Sequence, residues 1–403
     1  MGENSVKIII VQESDWLKRN NHQQHHLAEL MSLRNHQVRV IDFEIMWNNS
    51  EGTFAKREVF NDVKKIYDGA KVTVIRPSII RLPVFDYFSI LITHRNEINR
   101  QIKEFQPDIV VGFSILNSFL AVSACKRNNI PFIYYWIDVL HELIPFAPFR
   151  MLGELIEVLI LDNADKVLAI NQKLKELAVD LGGCGKKSLT LGAGIDKSRF
   201  NPNIDGKSLR ANLGFKDDDV VLFYMGWLYE FSGLKEIINQ MGEIKYDKLK
   251  LVIVGDGDEF SNLNLLKDMS SVSQNILMLG KLSYDEIPKY ISASDICILP
   301  SYPDHKVMKN IIPIKVYEYL AMNKPVFSTK IPAVMAEFPT GIHYVDKLDN
   351  MVSEIMRHIK GVKTISELNC SIQQKSWAKI TDEFEQILEH TIREKNGQLQ
   401  ARV

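Results

Sequence analysis

The feature that most constrains this chain is a rhythm. Short β-branched runs at Val6–Val11, Gln37–Ile41, Lys71–Ile75, Asp108–Gly112, Pro131–Tyr135, Lys166–Ile170 and Ser188–Leu191 alternate with helix-period segments such as His22–Arg34 and Ile115–Arg127. Strand, helix, strand is the pattern of a parallel sheet, whose neighbouring strands need long crossover connections. The rhythm pauses at Gly192–Asn203, where glycines, Asn201 and Pro202 mark a connector. It resumes with Asp219–Met225, Lys248–Val254, Asn275–Leu279, Asp295–Leu299 and Pro325–Ser328. With 403 residues there is chain enough for two cores. The reading is α/β, with two doubly wound domains over residues 1–200 and 203–375. Residues 376–403 then form a helix that spaces Trp377, Ile380, Phe384, Ile387, Leu388 and Ile392 on one face, its polar end frayed past Arg393.

Composition narrows the class of partner. The chain is 46% hydrophobic and 25% charged, with a net charge of −1, so nucleic acid is not expected to be the main partner. Cys125, Cys184, Cys297 and Cys370 are scattered without a Cys-x-x-Cys pair, which suits a reducing, cytoplasmic setting and argues against structural zinc or a disulfide framework. The start, Met1 to Val6, lacks the apolar stretch of a leader and departs from a myristoylation pattern at Val6. The apolar run Leu82–Ile92 is too short to span a bilayer. With Arg81, Arg95 and Arg100 beside it, a peripheral membrane contact stays open as one reading.

Candidate chemistry lies at strand ends, where open α/β sheets bind ligands. The stretch Ile311–Val326 reads as a nearly apolar helix with Pro313 in its first turn, Asn323 at its left-handed end and Pro325 forbidding continuation. A lone Glu318 on such a helix needs a reason, since an unpaired buried carboxylate costs several kcal/mol. Glu318 either caps a loop, pairs with Lys315, three residues back, or contacts a ligand. Gly226 ends one second-domain strand, and Gly233 opens the next helix, whose amides suit a phosphate. The junction Gln12–Asn21 has no glycine, which argues against NAD or FAD on the first sheet. Asp15, Trp16 and Arg19 there either line an acceptor cleft or are loop residues. Asp138, His141 and Glu142 follow another strand and either edge the cleft or form a cluster at a helix start. His22, His25 and His26 have the spacing of a metal pair, though helix-start packing or substrate contact is the plainer reading, and Asp256-Gly257-Asp258 reads as a metal–phosphate motif or a turn. In both places the plainer reading is preferred, and no metal is assigned.

Taken in order, several pieces resemble the family-four retaining glycosyltransferases of the GT-B fold. They are Ala164–Asn171, Gly192–Asp196 with Phe200 and Pro202, Gly226 with Gly233-Leu234, Val252–Gly257, Gly280, Ala293–Ser301 and Pro313–Val326. The resemblance implies two Rossmann-like domains facing across a cleft, with the acceptor on residues 1–200, the nucleotide-sugar on 203–375, and the helix of 376–403 crossing back to the first domain. Glu318 then resembles the second of two family glutamates and would bind the ribose hydroxyls of the nucleotide. The first falls on Asn310, an uncharged amide. The family's usual diphosphate-binding Arg and Lys fall on Trp227 and Ser232. This departure implies either lost activity or relocated charge. Relocation is favoured, with Lys315 as the replacement and Lys235 and Lys281 as secondary candidates.

The implied activity is a retaining, metal-independent transfer of a sugar from a nucleotide-diphosphate sugar to a glycan, lipid-linked or small-molecule acceptor, as in polysaccharide biosynthesis. No cofactor is expected beyond the nucleotide-sugar substrate. Asp138, Lys315 and Asn310 are the candidate catalytic residues. Glu318, Gly226, Ser232, Gly233, Lys235, Lys281, Ile311, Ile312 and Pro313 are placed on the donor, and Asp15, Trp16, Arg19 and His141 on the acceptor side. An epimerase of the same fold and an inactive sugar-nucleotide-binding subunit are the alternatives.

Overall fold

The computed structural model describes residues 5–19, 21–47, 52–144, 146–182, 185–361 and 375–400. Cys184, Cys370 and the start at residues 1–4 lie outside these. The chain divides into one unit of Met1–Gly194 with Trp377–Val403 and a second of Ile195–Ser376.

The first unit contains strands β1 (Lys7–Val11), β2 (Gln37–Ile41), β3 (Phe54–Ala55), β4 (Glu58–Val63), β5 (Val72–Arg76), β6 (Ile79–Ile80), β7 (Ile109–Gly112), β8 (Phe132–Trp136), β9 (Lys166–Ala169) and β10 (Ser188–Thr190). Eight of them form one sheet in the order β10-β9-β8-β7-β1-β2-β5-β4, while β3 and β6 pair separately. Every pairing in the large sheet is parallel except that of the edge strand β4 with β5. The inner strands are buried along nearly their whole length, as β1 with Ile8, Ile9, Ile10 and Val11 illustrates. A parallel sheet covered on both faces has no polar side, so its strands read as continuous apolar runs rather than alternations.

Helices α1 (Gln23–Leu33), α2 (Phe85–Phe105), α3 (Leu116–Asn128), α4 (Ala147–Asn163) and α5 (Gln172–Asp180) cover it. Ile98 and Ile102 of α2, Ala121 and Val122 of α3, and Ile160 and Leu161 of α4 share one core with Ile9, Val110 and Phe132 of the strands. The histidines of α1 are packing residues. His25 packs on Trp16 with ring centroids 4.0 Å apart and planes tilted by 35°, and His26 stacks on Trp377 at 4.0 Å and 7°.

The second unit contains helices α6 (Lys207–Asn212), α7 (Leu234–Ile244), α8 (Phe260–Met269), α9 (Ile287–Ala293), α10 (Ile314–Ala321), α11 (Pro332–Glu337) and α12 (Met351–Gly361). Its strands are β11 (Val220–Met225), β12 (Leu249–Val254), β13 (Ile276–Met278), β14 (Ile296–Leu299), β15 (Val326–Thr329) and β16 (His343–Val345), in the order β13-β12-β11-β14-β15-β16. All are parallel. The last helix, α13 (Trp377–Gln400), belongs to the first unit and continues through Arg393 to Gln400, so the expected fraying there is corrected.

Among its parallel strands, each sheet has one place where the chain order reverses. In the first unit β1 lies between β2 and β7; in the second β11 lies between β12 and β14. In each unit the crossovers on either side of this strand run to opposite faces, opening one crevice at the carboxyl end of β1 and a separate one at that of β11. Functional side chains are therefore to be sought at residues 12–13 and at residue 226.

Candidate functional site

In the second unit, β11 ends at Met225 and the chain turns at Gly226, whose φ of +133° favours glycine. A Cβ at this position would sit 2.5 Å from Lys315 Nζ. Gly255, at the end of β12, approaches as closely: a Cβ there would lie 1.9 Å from the Gly226 carbonyl oxygen. The missing side chains let the two strand ends close while leaving room for the lysine.

Lys315 arrives on α10. Pro313 is extended (φ −60°, ψ 132°) and is the N-cap, so the helix begins one residue later than its sequence suggests. Pro313 carries no N–H, and the first helical amides belong to Ile314 and Lys315. Asn323 has a φ of +53° just beyond the helix, as its position predicts. The short helix holds two charged side chains one turn apart, both directed inward. Glu318 is only 5% exposed. Burial pushes its carboxyl up to about 7, against the opposing effects of a Tyr284 hydrogen bond, Lys315 and Arg199. Burial likewise pushes the Lys315 amine down to about 7, with Glu318 pulling the other way. The amine lies 3.9 Å from the centroid of the Tyr224 ring, a cation–π distance. The Tyr284 hydroxyl donates to Glu318 Oε1 at 2.6 Å.

The amine thus stands beside Gly226 at the reversal point of the sheet, electrostatically coupled to the carboxyl one turn along the same helix. An amine balanced near neutrality gains charge when an anion approaches, and a fixed carboxylate accepts from neighbouring hydroxyls. The set has the chemistry to hold a molecule with a phosphate at one end and a diol at the other.

Gly233, left-handed at φ +73°, opens α7, and Ser232 before it is buried with its N–H on the Tyr229 carbonyl at 3.0 Å. Lys235 is exposed on the first turn of α7, and Lys281 is exposed on the turn after β13. Trp227 is partly exposed, its Nε1 3.3 Å from Asp258 Oδ2. Asn310, Ile311 and Ile312 lie in the loop leading to α10, Ile312 buried and the other two half-buried. Asp256-Gly257-Asp258 is a turn in which Asp256 Oδ1 accepts from the Gly257 N–H at 2.8 Å.

In the first unit, Asp15 and Trp16 are interior residues rather than cleft-lining ones. Asp15 Oδ1 and Asp42 Oδ2 each lie 2.8 Å from Arg76 Nη2, and the Trp16 N–H donates to Asp42 at 3.1 Å. An arginine between two carboxylates withdraws them from solvent, and that network explains their residue types. Arg19 is half-buried, and its carbonyl accepts from Lys65 Nζ at 2.5 Å. His141 is buried, its Nδ1 2.5 Å from Glu157 Oε2. Burial works against its charged form, but the bond and charge of Glu157 hold the ring above the ordinary histidine range. Asp138, half-buried after β8, is raised to about 7 by burial and then by Glu157.

Two family models match this chain. Residues 205–360 match Glycosyl transferases group 1, and residues 22–199 match Glycosyltransferase Family 4. The chain belongs to the family 4 glycosyltransferases. Among curated relatives of this family 4 member, TuaC of Bacillus subtilis strain 168, a glycosyltransferase named for teichuronic acid biosynthesis, is 30% identical over 186 residues, 46% of this chain and 43% of that protein. The Escherichia coli UDP-Gal:alpha-D-GlcNAc-diphosphoundecaprenol alpha-1,3-galactosyltransferase is 27% identical over 251 residues, 59% of this chain and 57% of that protein. The chain thus spans about half the length of these relatives. Among solved structures, Anabaena Alr3699/HepE in complex with UDP-glucose superposes with a TM-score of 0.74 over 96% of this chain and 100% of that one, at 16% identity. That likeness establishes a shared GT-B fold.

Two residues of the family 4 chain were not singled out by sequence reasoning. Tyr284 touches Glu318 across 34 positions. Glu13 stands at the end of β1, the other reversal point; burial raises its carboxyl to about 7, although the Asn117 N–H donates to it at 2.6 Å. Its position just past a strand end was the signal available for Glu13. Nothing local marks Tyr284.

Proposed function

We propose that the chain is a retaining glycosyltransferase that takes a sugar from a nucleotide-diphosphate sugar and needs no metal for the transfer. The observation that carries this reading is the Lys315 amine beside Gly226, at the reversal point of the second sheet, coupled to the buried Glu318 one turn along α10. Glu318 accepts from the ribose hydroxyls, while Lys315 and the first amides of α10 face the diphosphate. As the bond from the anomeric carbon to the diphosphate breaks, negative charge grows on the leaving oxygen, where a fixed amine and helix N–H groups lower the barrier. The acceptor oxygen bonds to the anomeric carbon on the same face and gives its proton to the departing phosphate. The first unit holds the acceptor, with Asp138 orienting a hydroxyl.

The acceptor is lipid-linked, and the chain works against a membrane surface. Two features support this. Relatives carry names such as the diphosphoundecaprenol galactosyltransferase above and alpha-monoglucosyldiacylglycerol synthase of Streptococcus pneumoniae. In the first unit, α2 and α4 leave apolar side chains in water: Phe85, Phe88 and Ile92 on one, Met151, Leu152 and Leu155 on the other, with Phe85 58% and Ile92 67% exposed. Arg95 and Arg100 are exposed farther along α2, suited to anionic headgroups. Among the described residues no helix is long and apolar enough to cross a membrane.

The test offers labelled nucleotide-sugars together with vesicles carrying a lipid-linked acceptor. Label is expected in the organic phase, and Ile92→Glu with Leu155→Glu is expected to lower that transfer while leaving nucleotide affinity intact. Label confined to an epimerised nucleotide-sugar would overturn the transferase reading.

A further inference from the structure

Tyr284 lies on the turn that follows β13, in the second unit with Arg199, Phe200 and Glu318. Its ring is 5.4 Å from that of Phe200, and the Arg199 guanidinium stands 4.9 Å over its face. Arg199 is itself tied to Asp285 at 2.9 Å and to Asp196 at 3.8 Å. A ring clamped in this way has few rotamers left, so the direction of its hydroxyl is set before any ligand arrives. That hydroxyl donates to Glu318 Oε1 at 2.6 Å.

A carboxylate that recognises a diol has two requirements. Its plane must be fixed, because two hydroxyls on adjacent carbons present their hydrogens at a set spacing. It must also be ionised, because a protonated acid loses acceptor capacity. Burial of Glu318 works against ionisation. The groups that face it and favour its charge are Tyr284 from the turn after β13, Lys315 from its own helix and Arg199 from the connector. Of these, Tyr284 gives the hydrogen bond that also fixes orientation, since a donor on Oε1 leaves Oε2 for incoming hydroxyls. We propose that Tyr284 is the positioning residue for ribose recognition: it orients Glu318 and keeps it charged for the nucleotide's diol. The proposal rests on the donor-site reading of Glu318 given above.

The variant is Tyr284→Phe, which keeps the ring against Phe200 and Arg199 and removes only the hydroxyl. Two measurements separate the outcomes. Carboxyl carbon-13 titration of the ligand-free chain, with Glu318 assigned through Glu318→Gln, is expected to show its midpoint higher in Tyr284→Phe, because the lost donor favoured the charged form. Calorimetry with UDP, GDP and ADP, using whichever binds the wild type most tightly, is expected to show affinity lowered about tenfold at pH 7. The gap narrows at pH 9, where the carboxylate is ionised regardless. The 2′,3′-dideoxy form of the same nucleotide is expected to bind variant and wild type alike.

An unmoved titration midpoint, or unchanged or tighter nucleotide binding by the variant, overturns the role of Tyr284 while leaving the donor site standing. A moved midpoint in a chain that binds none of the three diphosphates overturns the ribose role and the donor-site reading together.

Discussion

Lys315→Met is expected to lower kcat for sugar transfer by about 10²–10³-fold, the usual effect of removing one preorganised donor from a developing oxyanion. Methionine keeps the stem over the Tyr224 ring and beside Gly226, so the loss is of charge rather than of shape. Because burial already holds the amine near 7, its removal takes away an expensive buried cation, and thermal stability is expected to be unchanged or higher. The wild type carries a further signature. With free-enzyme amine and carboxyl both near 7, kcat/KM is expected to rise with pH as Glu318 ionises and to fall as Lys315 loses its proton. The two apparent values belong to the pair, because the groups interact. In Lys315→Met the alkaline limb disappears. Steady-state kinetics between pH 6 and 9 check this, and a variant of wild-type rate with the alkaline limb intact would place the phosphate-facing charge elsewhere, with Lys235 and Lys281 the next residues to test.

The largest expected loss of stability comes from the first unit. Arg76 is buried and touches Asp15 and Asp42 at 2.8 Å each. Arg76→Met leaves two carboxylates interior without their cation, and breaking such a network costs about 3–5 kcal/mol. Asp42 is already raised to about 6 by burial, with Arg76 opposing that rise. Without Arg76 its folded value rises further above its unfolded one. The folded state then binds the extra proton, and the variant's deficit is expected to be smaller at pH 5 than at pH 8. Adding Asp42→Asn to Arg76→Met is expected to recover part of the loss, since the sites share one network. Trp16, Trp47, Trp136 and Trp377 all lie in this unit and only Trp227 lies in the other, so denaturant unfolding followed by fluorescence reports chiefly on it. A double variant no more stable than the single one would contradict the account.

How much of this was legible in the sequence follows from the range of the interactions involved. Parallel inner strands announce themselves because both faces are buried, and Leu249–Val254 is apolar at five of its six positions for that reason. Strand β4, Glu58-Val59-Phe60-Asn61-Asp62-Val63, was not legible: it is an exposed, antiparallel edge strand whose residues pack on little. Glu318 and Lys315 stood out because they are the two charges on an otherwise greasy helix, and the structure sets the Lys315 amine at the reversal point with Glu318 buried one turn on. Asp15 and Trp16 misled because a strand end is where sites occur, and the arginine that buries Asp15 is 61 residues away. Tyr284 was invisible for the same reason, its partner lying 34 residues on. Local grammar marks where a site can be; long-range pairing decides which polar residues are left to serve it.

Calorimetric titration of UDP, GDP and ADP into the wild type and Glu318→Ala tests the central claim most directly. At least one diphosphate is expected to bind the wild type, with net proton uptake at pH 8 as the phosphates recharge Lys315, and to lose about 100-fold or more in affinity for the variant, since a carboxylate bonded to two hydroxyls contributes about 1.5–3 kcal/mol per bond. Equal affinity of the two proteins for every diphosphate that binds would mean that Glu318 does not hold the nucleotide.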